Sequence, residues 1–385
     1  MQIAVSGIRT GLRVSHDQTR SSHEMNRTSI TMTSLFSLCL ATGVSAQATV
    51  VDGSAEAAYG APLVIQDNST GFGNADLGSI DFCNGSEVDS AYGFIADGML
   101  HVLISGNVES NYNKLEIFID AIPGEGQNPI LGNNSEIDFN ALNTMGRFED
   151  PDTGEVQPGL TFDAGFDADF WLSFTGGPGA PPKKGGEPGY DTYLNFSELL
   201  TGGGDLAESG YAGPGGAGAK GALVTGNGIF AAIDNSNVLG VVGGDGIDDG
   251  AGVTTGVEIV IPLEVLGHAA GDDIRVCAFI NGSGHDFLSN QVLGGLGGSA
   301  NLGFPRFVNF EDLPGDQFFV VPGEGGGGDG CFGDINDDGI VNGADFGSLL
   351  ASWGLCPGCP ADLNDDGTVD GADVGLMLAV WGVCP

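Results

Sequence analysis

The sequence predicts a mainly β protein, an antiparallel β-sandwich of jelly-roll kind followed by a small α-helical module. Three observations predict it. Glycine supplies 69 of 385 residues and charged residues only 16%, a balance that favours short strands and many turns over long solvent-exposed helices. Short apolar segments of strand periodicity recur along most of the chain, with no helical pattern between them. The C-terminal segment instead carries a duplicated acidic loop, each copy running into an apolar helical stretch.

Taken in order, the chain first presents MNRTSITMTSLFSLCLATGVSAQA from Met25. Arg27 stands near its start, an apolar stretch runs from Leu35 to Val44, and Val44, Ser45 and Ala46 are small residues ahead of Gln47. That is the pattern of a secretory signal, too short to span a bilayer. The competing reading is a buried N-terminal helix. Residues 1–46 are expected to be removed, with Met25 or Met32 as the true start, because residues 1–24 precede the pattern without periodicity. The protein is therefore expected to be secreted, extracellular or cell-surface associated, without a membrane span. Removal takes away Arg9, Arg13, Arg20 and Arg27 but only Asp17 and Glu24, so the mature chain is more acidic than the formal charge of -40. With 11 basic residues against 51 acidic ones, a phosphate backbone is repelled, and nucleic acid is excluded as a partner.

Residues 49–321 read as the sandwich. Leu115, Ile117 and Ile119 alternate with Glu116, Phe118 and Asp120 in KLEIFID (114–120), the period of a strand with one face in a core. MLHVLIS (99–105), ADFWLSF (168–174), GIFAAID (228–234), VEIVIPL (257–263) and IRVCAFI (274–280) are likewise short, β-rich and bounded by Gly, Asn or Asp. Two Gly-rich stretches, 176–189 and 202–221, read as long surface loops. PGEGGGGDG (322–330) reads as a flexible tether.

Residues 331–385 hold the strongest chemical signal, a repeat at a spacing of 28 residues: GDINDDGIVNGADFGSLLASWG from Gly333 and ADLNDDGTVDGADVGLMLAVWG from Ala361. Each fits the pattern of a calcium loop, in which oxygen ligands at positions 1, 3 and 5 converge and Gly at 6 permits the sharp turn. The first loop offers Asp334, Asn336, Asp338, the carbonyl of Ile340, Asn342 and the closing carboxylate of Asp345. The second offers Asp362, Asn364, Asp366, Thr368, Asp370 and Asp373 in the same roles. Hard oxygen donors without His or thiolate select calcium, so two Ca2+ ions are expected; Asp337 and Asp365 should point outward. An Asp-rich turn that binds nothing is the alternative. Phe346, Leu349, Leu350 and Trp353, with Val374, Met377, Leu378 and Trp381, read as the core between two helices.

This segment resembles a type I dockerin over its whole length: two loop-plus-helix repeats, Asp at the twelfth position, and no helix entering either loop. The resemblance implies a cohesin-like partner domain. The helices contain no Lys or Arg, so such a contact would be apolar. Without Cys39 the cysteines number six: Cys83, Cys277, Cys331, Cys356, Cys359 and Cys384. In an exported chain an even set suggests disulfides. Antiparallel packing of the helices favours Cys331 with Cys384 and Cys356 with Cys359, with a tetrathiolate zinc site as runner-up. Cys83 and Cys277 are left either as a pair or as two buried free thiols.

VDGSAEAAYG, the strands around MLHVLISGNV and KLEIFID, and VEIVIPLEVLG followed by GDDIRVCAFING resemble family 9 carbohydrate-binding modules and the wider DOMON-like sandwiches. The resemblance implies the fold and, more loosely, polysaccharide or surface-glycan binding. No HExxH or GxSxG motif stands in the chain, and no catalytic residue is assigned. In ADFWLSF, Asp169, Trp171 and Ser173 face away from Phe170, Leu172 and Phe174, which offers Trp171 as a sugar platform with Tyr190, Tyr193 and Tyr112 nearby; the alternative packs Trp171 beneath an insertion. Asp245, Asp248 and Asp249 in GGDGIDDG read as a further calcium turn or an exposed loop. The expected function is non-catalytic glycan binding by the sandwich with calcium-dependent attachment by the tail. The alternatives are a polysaccharide-degrading O-glycosyl hydrolase and a structural envelope protein.

Overall fold

The structure is a computed structural model that describes residues 50–66, 68, 86–183, 187–204, 209–215, 220–237, 250–269, 271–294, 296, 300–323, 333–335, 340–356, 359, 361, 363–364 and 367–383. The signal segment, Cys83, Asp245, Asp248, Asp249 and most of the tether lie outside the described residues.

Strands β1 (Val64–Ile65), β2 (Glu87–Ala96), β3 (Met99–Asn107) and β4 (Lys114–Asp120) come first, then α1 (Ala141–Met145) and a small hairpin of β5 (Phe148–Glu149) and β6 (Val156–Gln157). β7 (Phe170–Lys183), β8 (Glu187–Glu198), β9 (Ser209–Gly215), β10 (Lys220–Val224) and β11 (Phe230–Asp234) follow. β12 (Gly256–Pro262), α2 (Leu263–Leu266), β13 (Ile274–Asn281), β14 (Leu288–Val292) and β15 (Phe319–Val321) complete the body. One sheet runs β1-β2-β3-β12-β11-β10 and the other β14-β13-β4-β7-β8-β9, with β15 also on β13, and every pairing among them is antiparallel. Between the sheets lies a core of Ala91, Ile104, Ile259 and Ile261 from the first, and Leu115, Ile117, Leu172, Val276 and Ala278 from the second. The protein is thus mainly β, two antiparallel sheets packed face to face.

KLEIFID forms β4 as the alternation predicts, but both of its faces are buried. Leu115, Ile117 and Ile119 enter the inter-sheet core, whereas Phe118 joins Trp171, Cys277 and Phe279 in a second core on the outer face. Leu142, Met145, Leu160, Phe162, Phe166, Val308 and Phe310 cover that face. Each large side chain so buried contributes roughly 1.5–3 kcal/mol of transfer free energy, enough to fasten the covering segment to the sheet.

The Gly-rich stretches are not long loops. β7 and β8 extend into 176–189, pairing Gly177 with Asp191 and Lys183 with Glu187, and β9 lies within 202–221. Glycine there makes room for aromatic rings: a Cβ on Gly176 would stand 2.0 Å from the Tyr190 hydroxyl oxygen, and one on Gly177 would stand 2.1 Å from Tyr112 Cε1. Composition reads such glycines as flexible, while in a sheet they seat rings against the backbone.

Cys277 is a free thiol, wholly buried, so the pairing with Cys83 is not formed. The apolar second core around it holds a reduced side chain without a partner. Cys356 and Cys359 form the expected disulfide; Cys331 and Cys384 lie outside the described residues. Among the described residues no helix is long and apolar enough to cross a membrane.

The tail holds β16 (Ile340–Val341), α3 (Gly343–Ala351), β17 (Gly354–Leu355), β18 (Thr368–Val369), α4 (Gly371–Ala379) and β19 (Gly382–Val383). β16 pairs with β19 and β17 with β18, so the strand of each repeat is completed by the residues that follow the other repeat's helix. Val341 and Val369, with Leu349 and Met377, are equivalent residues of the two repeats and share one small core. Leu350, Leu378, Trp353 and Trp381, expected in that core, are exposed. Each helix has only nine residues, and its inner face supplies Leu349 with Phe346, or Met377 with Val374, to so small a space.

Candidate functional site

The outer face of the second sheet is covered by the second core over one part and left open over another. Register places Lys114 opposite Thr175 and Thr175 opposite Tyr193, while Ser173 is opposite Asn195 and Asn195 opposite Tyr211. Residues two apart on one strand share a face, so these side chains line up on the open part. There Lys114, Thr175, Tyr193, Asn195 and Tyr211 bound a cleft of about 770 Å³, together with Tyr112, Asp138, Phe139, Ser283 and Gly284. That volume lies within the range of sites that enclose most of a small ligand.

Beneath the cleft runs a chain of charged groups. Lys114 Nζ donates to both carboxylate oxygens of Asp138, at 3.3 and 3.0 Å. The His285 ring stands between two carboxylates, with Nδ1 2.6 Å from Glu116 Oε1 and Nε2 3.3 Å from Asp138 Oδ2. Trp171 Nε1 donates to Glu116 Oε2 at 2.9 Å, and the Asn281 amide donates to Glu116 Oε1 at 3.3 Å. Burial disfavours the charged imidazole, but Glu116 and Asp138 together outweigh it and hold the His285 pKa up at about 9. Burial likewise works against the Asp138 carboxylate, and the adjacent His285 imidazole, 3.3 Å away without hydrogen-bond geometry, together with the charge of Lys114 reverses it, keeping Asp138 below the usual carboxylate range. Lys114 and His285 thus alternate with Asp138 and Glu116 in one buried row under the cleft.

The wall is aromatic. Ring centroids of Tyr112 and Tyr193 are 6.3 Å apart, and those of Tyr193 and Tyr211 6.0 Å with near-parallel planes. Phe139 is 86% exposed at the rim. Among the described residues, six non-glycine residues have positive φ: Asp97, Tyr112, Asp138, Phe139, Asn140 and His285. All but Asp97 lie in or beside the cleft. Such conformations cost of order 1–3 kcal/mol each and persist only where surrounding contacts over-determine them. Asp and Asn tolerate this region better than Phe, Tyr or His.

Of the platform residues expected from sequence, Tyr112 and Tyr193 line the cleft and Trp171 and Tyr190 do not. Trp171 is on the predicted face of its strand, but the covering segment encloses it completely and Glu116 satisfies its indole N–H. Tyr190 packs into the inter-sheet core and donates its hydroxyl to the carbonyl of Val108 at 2.8 Å. Tyr211 and Phe139 were not anticipated. The signal for Tyr211 was its place within a Gly-rich stretch that proves to be a strand.

No family model, curated protein or solved structure matches this chain. Its chemistry rests on its own geometry.

In the tail, Asp334, Ile340, Asn342, Asp345, Asn364, Thr368, Asp370 and Asp373 are described, whereas Asn336, Asp338, Asp362 and Asp366 lie outside the described residues. The closing carboxylates are built alike. Asp345 accepts from the Ile335 and Asn342 N–H groups at 2.9 and 2.8 Å, and Asp373 from those of Leu363 and Asp370 at 2.9 and 2.7 Å. The Asp370 N–H leads in holding the Asp373 carboxyl below its usual range. With about four lone-pair sites per carboxylate, one oxygen can serve an N–H and a cation together. Asn342 and Asp370 cap helices α3 and α4 through the N–H groups of Ala344 and Ala372. The described donors are hard oxygens, matched in position between the loops, the kind a calcium ion takes; among the described residues no group of three or more His, Cys, Asp or Glu is gathered at either loop.

Proposed function

We propose that the protein is an exported glycan-binding protein whose aromatic cleft holds a polysaccharide segment without cleaving it. Its tail binds two calcium ions and attaches it to a cohesin-like partner or a surface assembly. The observation that carries the first part is the row of Tyr112, Tyr193 and Tyr211 along a cleft with a fixed polar floor. Tyrosine offers an apolar face to a sugar ring and a hydroxyl to its rim. Asn195 and the Lys114–Asp138 pair supply polar groups beside that face. A non-catalytic role is favoured because Asp138 and His285 are committed to ion pairs and the His285 side chain is fully enclosed, so neither is free to exchange a proton with a ligand.

The test is a binding series on cellulose, xylan, chitin and mixed-linkage β-glucan, run beside a reducing-sugar release assay. Retention on at least one polymer, weakened by Tyr193→Ala and unaccompanied by sugar release, is the expected result. Release of reducing ends would overturn the non-catalytic reading in favour of a hydrolase, and absence of both signals would favour a structural envelope protein. The attachment role is tested by pull-down of secreted partners with the full chain, with and without calcium. Capture that ignores a chelator would refute it.

A further inference from the structure

Phe139 is the side chain of the cleft that folding explains least. It is bulky and apolar, it is exposed, and its φ of 55° lies in a region where such residues are rare. Asp138 and Asn140 on either side share that conformation, with φ of 46° and 68°. Three consecutive left-handed residues form a projection that holds Phe139 exposed at the cleft it lines with Tyr112, Tyr193 and Tyr211. A surface Phe held this way gains nothing from a core, so its placement points to a ligand.

What holds the projection is Asp138. Its carboxylate is tied to Lys114 on one side and faces His285 Nε2 on the other, and His285, itself at φ 58°, is anchored to Glu116 through Nδ1. The far end of the projection is fixed separately, by the Asn143 amide donating to Asn140 Oδ1 at 2.7 Å and by the Ala141 N–H donating to the Ile137 carbonyl at 3.1 Å. We propose that His285 is a positioning residue: acting through Asp138, it fixes the 138–140 turn so that Phe139 clamps a bound glycan against Tyr112, Tyr193 and Tyr211. This rests on the glycan-binding reading of the cleft and adds to it a fourth aromatic wall and the group that sets it.

Glu116 approaches the imidazole from β4, Asp138 from the turn with Lys114 behind it, the Trp171 indole from β7 with ring centroids 6.2 Å away, and Asn281 through the shared Glu116 oxygen. Deprotonating His285 leaves two carboxylates facing a neutral ring, with Lys114 the remaining cation in contact with Asp138 among the described residues. The hold on Asp138 then weakens, and the turn loosens as pH passes through about 9.

The experiment is hydrogen–deuterium exchange on the full chain, corrected for intrinsic rate, read over residues 137–141 and compared with β8 as an internal standard. His285→Gln and Asp138→Asn are expected to raise exchange in 137–141 at pH 7 and leave β8 unchanged. In the wild type the same rise is expected only as pH passes 9, and in His285→Gln no further pH dependence is expected. Alongside, the soluble glycan retained best by the wild type among xylan and mixed-linkage β-glucan is titrated against Phe139→Ala, with about tenfold weaker binding expected. Unchanged exchange in both turn variants would overturn the positioning role, and wild-type affinity in Phe139→Ala would overturn the clamp. A wild type that binds neither soluble polymer refutes the clamp as stated, one that is also retained on neither cellulose nor chitin refutes the parent reading with it, and the exchange result still decides the role of His285.

Discussion

Raising pH should unfasten the body of this protein in a window set by one side chain. His285 has its pKa raised from 6.5 to about 9 in the fold, against the cost of its burial, by Glu116 and Asp138. A base whose pKa rises on folding stabilises the native state fully below its unfolded value, and the contribution is lost as pH climbs through the folded value. The window is therefore pH 6.5 to 9, and the shift corresponds to about 3 kcal/mol. That is a large part of the few kcal/mol by which a domain of this kind is stable. The assay is urea unfolding at pH 6, 7.5, 9 and 9.5, followed by Trp171 fluorescence in a Trp353→Phe, Trp381→Phe background, since those two residues lie in the tail. Subtracting the same series for His285→Gln removes the ionisation of Cys277 and Tyr59, whose raised pKa values add destabilisation at the alkaline end. A difference between wild type and variant that stays flat from pH 6 to 9.5 would mean that the imidazole is not held charged between the two carboxylates.

Three further outcomes follow from single observations. Gly177→Ala places a methyl group 2.1 Å from Tyr112 Cε1, so the partly exposed ring must swing away; calorimetry should record about tenfold weaker glycan binding with a melting temperature changed by only a few degrees. Burial raises the Asp169 pKa to about 6 although the Ala121 and Ile122 N–H groups both donate to Oδ2, so its ionised form costs stability above pH 6. Asp169→Asn keeps that acceptor and should raise the melting temperature at pH 7.5, with the gain disappearing below pH 4. Calcium removal should unfold residues 331–385, because their carboxylates repel one another and the core of the tail is small; circular dichroism of that segment unaltered by a chelator would contradict the proposed cages.

The strands were legible where short β-rich apolar runs stand between turn residues, as in β4, β12 and β13, and least legible in the Gly-rich β9; whether one face or both are buried was not. Trp171 illustrates the limit. Alternation placed it on the outer face, but whether that face meets water depends on Phe162, Leu142 and Phe310, which reach it from distant parts of the chain. The cleft was legible only in fragments for the same reason. Tyr112 and Tyr193 were offered only as loop neighbours of Trp171, whereas the His285–Glu116 contact joins residues 169 positions apart, a pairing no local pattern encodes. Tyr211 was hidden by composition, since glycines that accommodate rings in a sheet look the same in sequence as glycines of a mobile loop. The tail was read from spacing alone, and its equivalent hydrogen bonds at Asp345 and Asp373 follow that spacing.

The exchange of strands between the two repeats bears on how the proposed calcium sites behave together. Ile340 and Val341 follow the turn of the first loop and are paired with Val383 and Gly382, which follow the helix of the second repeat; Thr368 and Val369 of the second loop are paired with Leu355 and Gly354 of the first. Closing one loop orders its own helix through the position-12 carboxylate, and that helix carries the strand that completes the other loop. Neither loop can take its final form alone, so the ordering cost met by the first ion is partly shared by the second. Positive cooperativity is the expected result, even though Asp370 gives the second loop one more carboxylate than the first and should make it the tighter site. Asp373→Ala, which removes the closing carboxylate of the second loop, should weaken calcium binding at the first by severalfold although the two share no ligand. Site-resolved titration of the full chain measures this directly, and an unaltered first-loop affinity in that variant would mean that the paired strands transmit nothing between the cages.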